Sequence, residues 1–376
     1  MNFDFPDDLK AMRDEARKFL RQKCPPAVMR RALDSGAGYD RALWTEMADL
    51  GWVGASVPEE YGGAGLGHLA VCLLAEEIGA ALAPVPYSSS VYMAIEAVLL
   101  AGSEAQKKAH LPRLASGRAI GTFACAEQPG PLLVDRLKTR LSDGRISGLK
   151  RAVPDGDVAD LAVVAATDAR RGPVLCLVDL TAAGVRRETV ATIDPSRTHA
   201  QITFDQSPAE LLEGGGGTAM VRRLIDRAAV MMAFEQVGGA QAALDMANAY
   251  AKERYAFGRP IGSFQAIKHK LADMYVAIEL ARSNAYYGAW ALETDAAELP
   301  LAASVARISA NDAGWLASKE NVQTHGGMGF TWEGDAQLHY RRAKLLGLSL
   351  GGSSEWKRRL AGELRSRNAA GLVPME

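Results

Sequence analysis

Two long apolar periodicities meet at one break, Gly258-Arg259-Pro260, and that break constrains the fold more than any other stretch. Proline has no backbone donor and keeps the residue before it out of helix, so Arg259-Pro260 forces a turn. Before the turn, the apolar residues of 224–251 cover most of a helix circumference, as in the interior of a bundle. After it Phe264, Ile267, Leu271, Met274 and Ile278 recur at helical spacing, and the pattern runs to about Glu293. Arg254 and Gln265 therefore flank one corner between two helices. A fork of guanidinium donors and an amide converging there suit a phosphate-bearing ligand, and equally a solvated corner if the motif stands alone.

Elsewhere the period changes twice. Residues 6–118 read as helical, with Leu9, Met12, Ala16, Phe19 and Leu20 forming one apolar stripe and Trp44, Met47 and Leu50 another. A further helix is expected over about 69–82, stopping before Pro84 and Pro86. The glycine-rich turn at 62–67 has no complete G-x-G-x-x-G and no clear strand before it, so a Rossmann unit is rejected. From about 119 to 212, short runs at 137–141, 145–149, 161–166, 174–180, 185–192 and 201–204 alternate or are bounded by Gly, Pro or Asp. Strands without intervening helices indicate an antiparallel barrel or sandwich. Glu213-Gly-Gly-Gly-Gly-Thr218 reads as a flexible boundary, since a phosphate loop needs a Lys-Ser/Thr ending. Two later helices are expected over about 301–324 and 335–364. The expected fold class is α+β, mainly α. An N-terminal helical domain (1–118) is followed by a central antiparallel β barrel or sandwich (119–213) and a C-terminal four-helix bundle (218–376).

A chain of 376 residues exceeds one ordinary core, and its 43 basic residues balance 44 acidic ones. That neutrality gives no global reason to expect nucleic acid or a membrane surface as partner. Cys24, Cys72, Cys125 and Cys176 form no CxxC pair, which fits a reduced cytoplasmic setting better than a disulfide framework. No apolar run suits an integral membrane segment, and the charged start Met1-Asn-Phe-Asp-Phe does not read as a signal peptide. His68, His110, His199, His269, His325 and His339 show no metal-ligand spacing, so no metal is expected. His325 sits in a glycine loop, where packing and ligand contact are both open. No Gly-x-Ser-x-Gly or Cys/His constellation points to a nucleophile.

Three segments carry a resemblance. Arg254-x-x-Phe257-Gly258-x-Pro260-Ile261-x-x-x-Gln265, with Leu271-Ala-Asp-Met274 behind it, is similar to the signature of acyl-CoA dehydrogenases. Pro58-Glu-Glu-Tyr-Gly-Gly-Ala-Gly-Leu-Gly67 resembles that family's N-terminal turn, and Gln323-Thr-His-Gly-Gly-Met-Gly-Phe330 resembles its C-terminal flavin-contacting loop. They stand in the family's order across nearly the whole chain. The resemblance implies the family's three-domain fold, an FAD cofactor, an acyl-CoA substrate, and a homo- or hetero-tetramer with FAD at subunit interfaces. It places Arg254 at the FAD pyrophosphate, Phe257 near the adenine end and Gln265 close by, with Gln323, Gly326 and Gly327 as the loop closing on the dinucleotide. In the family's reaction a carboxylate takes a proton from Cα while a hydride leaves Cβ for the flavin.

The flavin ring site matches less well. Phe123-Ala-Cys125-Ala126-Glu-Gln-Pro-Gly130 stands where the family has an aromatic residue followed by Thr-Glu-Pro-Gly, so Ala126 replaces a flavin-contacting threonine. In Lys150-Arg-Ala-Val-Pro-Asp155, Ala152 replaces a ring-stacking tryptophan and Pro154 a hydroxyl residue. The catalytic base is the larger gap. Six residues past Lys344 of Arg341-Arg-Ala-Lys344, where many members carry a glutamate, stands Leu350. Other members keep the base on a helix, twenty-six residues before the flavin arginine; here that is Ala228. Neither side chain takes a proton. Asp226, two residues away, and Glu235, two turns on along the same face, are the remaining candidates. The leading expectation is FAD-dependent α,β-dehydrogenation of an acyl-CoA thioester. The alternatives are a non-catalytic subunit of a mixed tetramer, or a flavin-binding member with other chemistry such as desulfination or oxygenation.

Overall fold

Six helices open the chain in the computed structural model, which describes residues 5–369. They are α1 (Asp7–Lys23), α2 (Pro26–Ser35), α3 (Arg41–Asp49), α4 (Gly67–Ala80), α5 (Glu96–Ala101) and α6 (Glu104–Ala115). The start Met1-Asn-Phe-Asp, read above as no signal peptide, lies outside the described residues. Local chemistry starts two of these helices. Asp40 accepts the Leu43 N–H at 2.9 Å ahead of α3, and Ser103 with Gln106 makes a capping box at α6. The glycine-rich turn before α4 follows a single 3-10 turn, Glu59–Tyr61, and packs on itself. A side chain at Gly63 would stand 2.6 Å from the Val57 carbonyl carbon. Ser88–Ile95, leading into α5, is π-helical, a rare form that recurs at functional sites.

The middle of the chain supplies β1 (Gly121–Ala124), β2 (Arg140–Ser142), β3 (Arg145–Pro154), β4 (Leu161–Asp168), β5 (Gly172–Asp179), β6 (Val185–Val190), β7 (His199–Pro208) and β8 (Glu210–Gly216). They form one sheet in the order β6-β7-β3-β2-β4-β5-β8, with β1 beside β4. β1 and β2 run parallel to β4. The sheet is therefore mixed and does not close, which corrects the all-antiparallel barrel. β1 is four residues long and buried along its whole length, so it offers no alternation from which to read a strand. The stretch Glu213–Thr218, expected to be a flexible boundary, instead carries the end of β8 as far as Gly216, which pairs with Val174. Gly214 lets the backbone of Ala101 come close: a Cβ there would lie 3.1 Å from the Ala101 carbonyl oxygen.

The rest is helical: α7 (Thr218–Glu253), a hairpin of β9 (Tyr255–Ala256) and β10 (Arg259–Pro260), α8 (Gln265–Glu293), α9 (Leu299–His325), α10 (Gly327–Phe330), α11 (Ala336–Leu348) and α12 (Ser353–Ala369). α9 packs against α8, α11 and α12. The single helix expected over 335–364 is broken, because Leu350 and Gly351 take φ of 57° and 96°. Paired glycines at 351 and 352 lower helix propensity there.

The chain divides into two compact units. One holds the described residues up to Pro26, Cys72–Ala83, and those from Ala229 onward; the other holds Ala27–Val71 and Pro84–Ala228. In the first unit α4 and α7 meet backbone to backbone. A Cβ on Gly79 would stand 2.7 Å from the Glu235 carbonyl carbon, and one on Gly238 2.7 Å from that of Glu76. All four cysteines are buried, and none is in a disulfide. Among the described residues, no helix is long and apolar enough to cross a membrane.

Candidate functional site

The corner after α7 is pinned by its backbone. The Arg254 N–H donates to the Tyr250 carbonyl at 2.8 Å, and the Ile261 N–H donates to the Arg254 carbonyl at 2.7 Å. Between β9 and β10 the chain turns on Phe257 and Gly258, at φ of 53° and 77°. Two successive positive φ values define the turn that matches strand twist, and glycine takes them freely. Phenylalanine does not, and such strain persists where the surroundings over-determine it, often at a ligand site. Phe257 is also 95% exposed. Phe264 sits edge-on to it at 6.3 Å, with the Arg259 guanidinium 4.1 Å over the Phe264 ring. Gln265 is the first residue of α8, exposed, and Phe264 before it offers no side-chain cap. The positive end of a 29-residue helix thus opens on this corner beside Arg254.

The second segment ends α9. Gln323 is exposed, Gly326 has φ of 61°, and a Cβ on either Gly326 or Gly327 would meet nothing within 4 Å. Packing within the chain therefore does not demand glycine at 327. Phe330, at the end of α10, is 85% exposed. Though about seventy residues separate them in sequence, corner and loop are joined. The His325 ring stacks on Tyr250 at 4.2 Å, its Nδ1 lies 2.9 Å from the Asn321 carbonyl, and Lys270 pairs with Glu320 at 2.8 Å. His325 thus works as packing. Exposed cations, an uncapped helix start, unburied aromatics and glycines facing open space fit the anionic and adenine parts of a dinucleotide.

The segment assigned to the flavin ring lies in the other unit. Phe123 and Cys125 are buried, and Ala126, half-buried, accepts the Arg151 N–H at 2.8 Å. The fully buried Lys150 ammonium donates to Glu127 at 2.8 Å and to the Cys125 carbonyl at 3.1 Å. Glu127 also accepts the Lys138 and Thr139 N–H groups at 2.6 and 2.9 Å. Burial pushes its carboxyl up, but these donors together outweigh burial and hold it below the usual carboxylate range. Ala152 is exposed at φ 48° in a bulge of β3, and Pro154 accepts the Thr122 hydroxyl at 2.5 Å. The backbone here is held firmly, with its aromatic side chain turned into the core.

The two carboxylate candidates are both inside. Asp226 is 3% exposed and Glu235 0%. Glu235 sits at the Gly79 crossing, close enough to the buried Arg307 to act on its charge; burial brings that guanidinium down to about 9 against the pull of Glu235. Arg307 donates to Gln236, to the Leu346 carbonyl and, at 2.6 Å, to the Ser349 carbonyl, which fixes the turn carrying Leu350. Ala228 is fully buried.

One cluster was missed in sequence. In the second unit Glu96 lies 2.8 Å from His68 Nε2 and accepts from Arg227 Nε. Burial raises the Glu96 carboxyl, but His68 and Arg227 overcome it and bring it down to about 2. No spacing joins residues 68, 96 and 227, so no one-dimensional signal reveals them. Among the described residues, no group of His, Cys, Asp and Glu is placed to hold a metal.

Comparison with known proteins gives the same answer from both ends of the chain. The family model of the acyl-CoA dehydrogenase N-terminal domain matches residues 6–118, and that of the C-terminal domain matches residues 215–364. The chain is 34% identical over 363 residues to the acyl-CoA dehydrogenase IpdE2 of Mycobacterium tuberculosis, covering 96% of this chain and 98% of that protein. Among solved structures, a variant of the Tcur3481-Tcur3483 steroid ACAD superposes with a TM-score of 0.89 at 32% identity, over 97% of this chain and 99% of that one. The ChsE4-ChsE5 complex from Mycobacterium tuberculosis superposes with a TM-score of 0.90 at 27% identity, with the same coverage of 97% and 99%.

Proposed function

This chain belongs to the acyl-CoA dehydrogenase family of oxidoreductases, and on that footing we propose that it takes part in FAD-dependent α,β-dehydrogenation of an acyl-CoA thioester in the cytoplasm. The convergence of corner and glycine loop carries this reading. Arg254 and the open start of α8 meet the pyrophosphate charge, Phe257 lies along the adenine, and Gln265 and Gln323 supply amides. Gly326 and Gly327 let backbone approach where a side chain would block it. Phe123, Cys125 and Ala126 border the ring through backbone held by Lys150. FAD, when bound, supplies the hydride acceptor. An exposed cradle of this kind is completed by a second subunit, so the active form is a homo- or hetero-tetramer.

A second reading rests on its own observation. Ala228 and Leu350 occupy both family base positions, and Asp226 and Glu235 are buried. The chain then serves as the partner in a mixed tetramer, lending Arg254 and Gln265 to FAD whose catalytic base comes from a sister subunit. The Tcur3481-Tcur3483 and ChsE4-ChsE5 structures are two-protein assemblies, which supports it.

The visible spectrum of the purified chain tests both. A yellow protein that bleaches with acyl-CoA supports dehydrogenation by this chain. A colourless chain that becomes yellow and active only with a sister subunit supports the mixed assembly. In either case Arg254→Gln weakens flavin retention about tenfold or more, the worth of one charge-assisted contact. Failure to hold flavin alone or in any pairing sinks both readings.

A further inference from the structure

Inside the first unit α7, α9 and α11 do not quite meet. Between them lies a cavity of about 10 Å³, bordered by Glu235 and Gln236 of α7, Gly314 of α9, and His339 and Arg342 of α11. All five residues are buried. Gly314 measures the room: a Cβ built on it would meet nothing within 4 Å, whereas Gly79 and Gly238 in the same unit leave no space for one. A gap of this volume is about the least that admits one water molecule. Dry cavities are lined by apolar side chains; this one carries a carboxylate, an amide, an imidazole and a guanidinium.

One of these groups lacks what burial requires. The His339 ring makes a backbone hydrogen bond with Gly239, yet its Nδ1 is buried and meets no hydrogen-bond partner in the protein. His339 is only 6% exposed, and a buried polar atom left unpaired bears the whole cost of its desolvation. Gln236 is engaged with α9 instead: its carbonyl accepts from Arg307, and its amide donates to Asn311 at 2.8 Å. Burial keeps the imidazole uncharged at neutral pH, bringing it down to about 4. Glu235 and Arg342 carry opposite charges, so the lining favours neither a cation nor an anion. Size and charge both call for a small neutral molecule.

We infer that this cavity binds one water molecule, held by His339 Nδ1 and the Glu235 carboxylate, with the Arg342 guanidinium as donor. The occupant has to donate to a carboxylate, accept from a guanidinium and meet the ring nitrogen in either tautomer. Water does all three. The bound molecule links α7 to α11 at the joint from which α11 runs on to the turn carrying Leu350. The site is separate from the flavin cradle and stands whether or not the chain holds flavin.

The test is a high-resolution crystal structure of the purified protein, with its sister subunit if flavin requires one, alongside calorimetric melting of two variants. The wild type shows one water roughly 2.7–3.2 Å from His339 Nδ1 and from a Glu235 oxygen. Gly314→Ala sends a methyl group into the cavity, displaces the water and leaves Nδ1 without a partner. Gly362→Ala, at an exposed position of α12 where a Cβ also meets nothing within 4 Å, is the control. Alanine at 362 raises melting by about 2–4 °C through helix propensity, whereas alanine at 314 gives no such gain. Density with no water in reach of Nδ1, or a protein atom found bonded to Nδ1, overturns the assignment. So does a Gly314→Ala protein stabilised as much as Gly362→Ala, since the displaced molecule would then have held nothing. If Gly314→Ala does not fold, the wild-type density decides alone.

Discussion

Replacing Gly79 by alanine tests how the first unit is assembled. The added methyl group would lie 2.7 Å from the Glu235 carbonyl carbon and 3.0 Å from its Cα, and closer still to the carbonyl oxygen. All three are backbone atoms of α7, so no side chain can swing aside. The contact is reciprocal, since Gly238 meets the Glu76 backbone at the same two distances. Relief requires α4 and α7 to separate by about 1 Å. Over roughly 100 Å² of helix contact that opens on the order of 100 Å³, or about 2.4 kcal/mol at 24 cal/mol per Å³. Overpacking in other cores costs a similar 1–3 kcal/mol or so. Alanine recovers about 1 kcal/mol through helix propensity. The net loss expected for Gly79→Ala is therefore about 1.4 kcal/mol, and melting should fall by about 3–6 °C in a unit of this size. Gly238→Ala should behave alike, and the double variant should lose less than the sum, because the first substitution has already parted the helices. Differential scanning calorimetry reads all three. A Gly79→Ala protein melting at or above the wild-type temperature would mean that propensity alone operates and that the crossing is not as close as described.

His339 makes the same unit acid-sensitive. Burial holds its imidazole down to about 4, against an ordinary value near 6.5, with the Gly239 backbone hydrogen bond and Asp335 opposing only in part. The unfolded chain therefore takes up a proton below pH 6.5 that the folded chain refuses until about pH 4, and up to about 3 kcal/mol of stability is lost across that window. Glu96, depressed to about 2, keeps its contribution above the ordinary carboxylate range and surrenders it only as pH falls towards 2, so it adds little slope there. Urea unfolding at pH 7 and pH 4.5 should show the loss in the wild type and a flatter response in His339→Gln; parallel responses would discount His339. Lys150→Met removes the buried cation shared by Glu127 and the Cys125 carbonyl and leaves Glu127, 11% exposed, without its counter-charge. A loss of about 3 kcal/mol is expected by urea unfolding, partly restored by adding Glu127→Gln, and a change below about 1 kcal/mol would show the pair to be dispensable.

What could be read ahead of the structure divides by how far apart the responsible atoms lie along the chain. Periodicity found the long helices, because each apolar stripe is written within a few turns of itself. It failed where the period carries another meaning. β1 is buried on both faces and shows no alternation, and the glycines of β8 signal close backbone approach to Ala101 rather than flexibility. The pattern over 335–364 hid a break at Leu350, which the Arg307 guanidinium fixes from another helix. The flavin cradle was legible because its motifs are contiguous; the Tyr250–His325 stack that joins them was not. Glu235 shows the limit most clearly. Counting turns places it on the face of Ala228, and that count holds for a helix in isolation. Whether a shared face lines a cleft or closes against a neighbour depends on what the neighbour presents. Here the neighbour presents Gly79, whose missing side chain brings backbone against backbone. The carboxylate that helical arithmetic offered as a base is thereby placed at a joint between two helices.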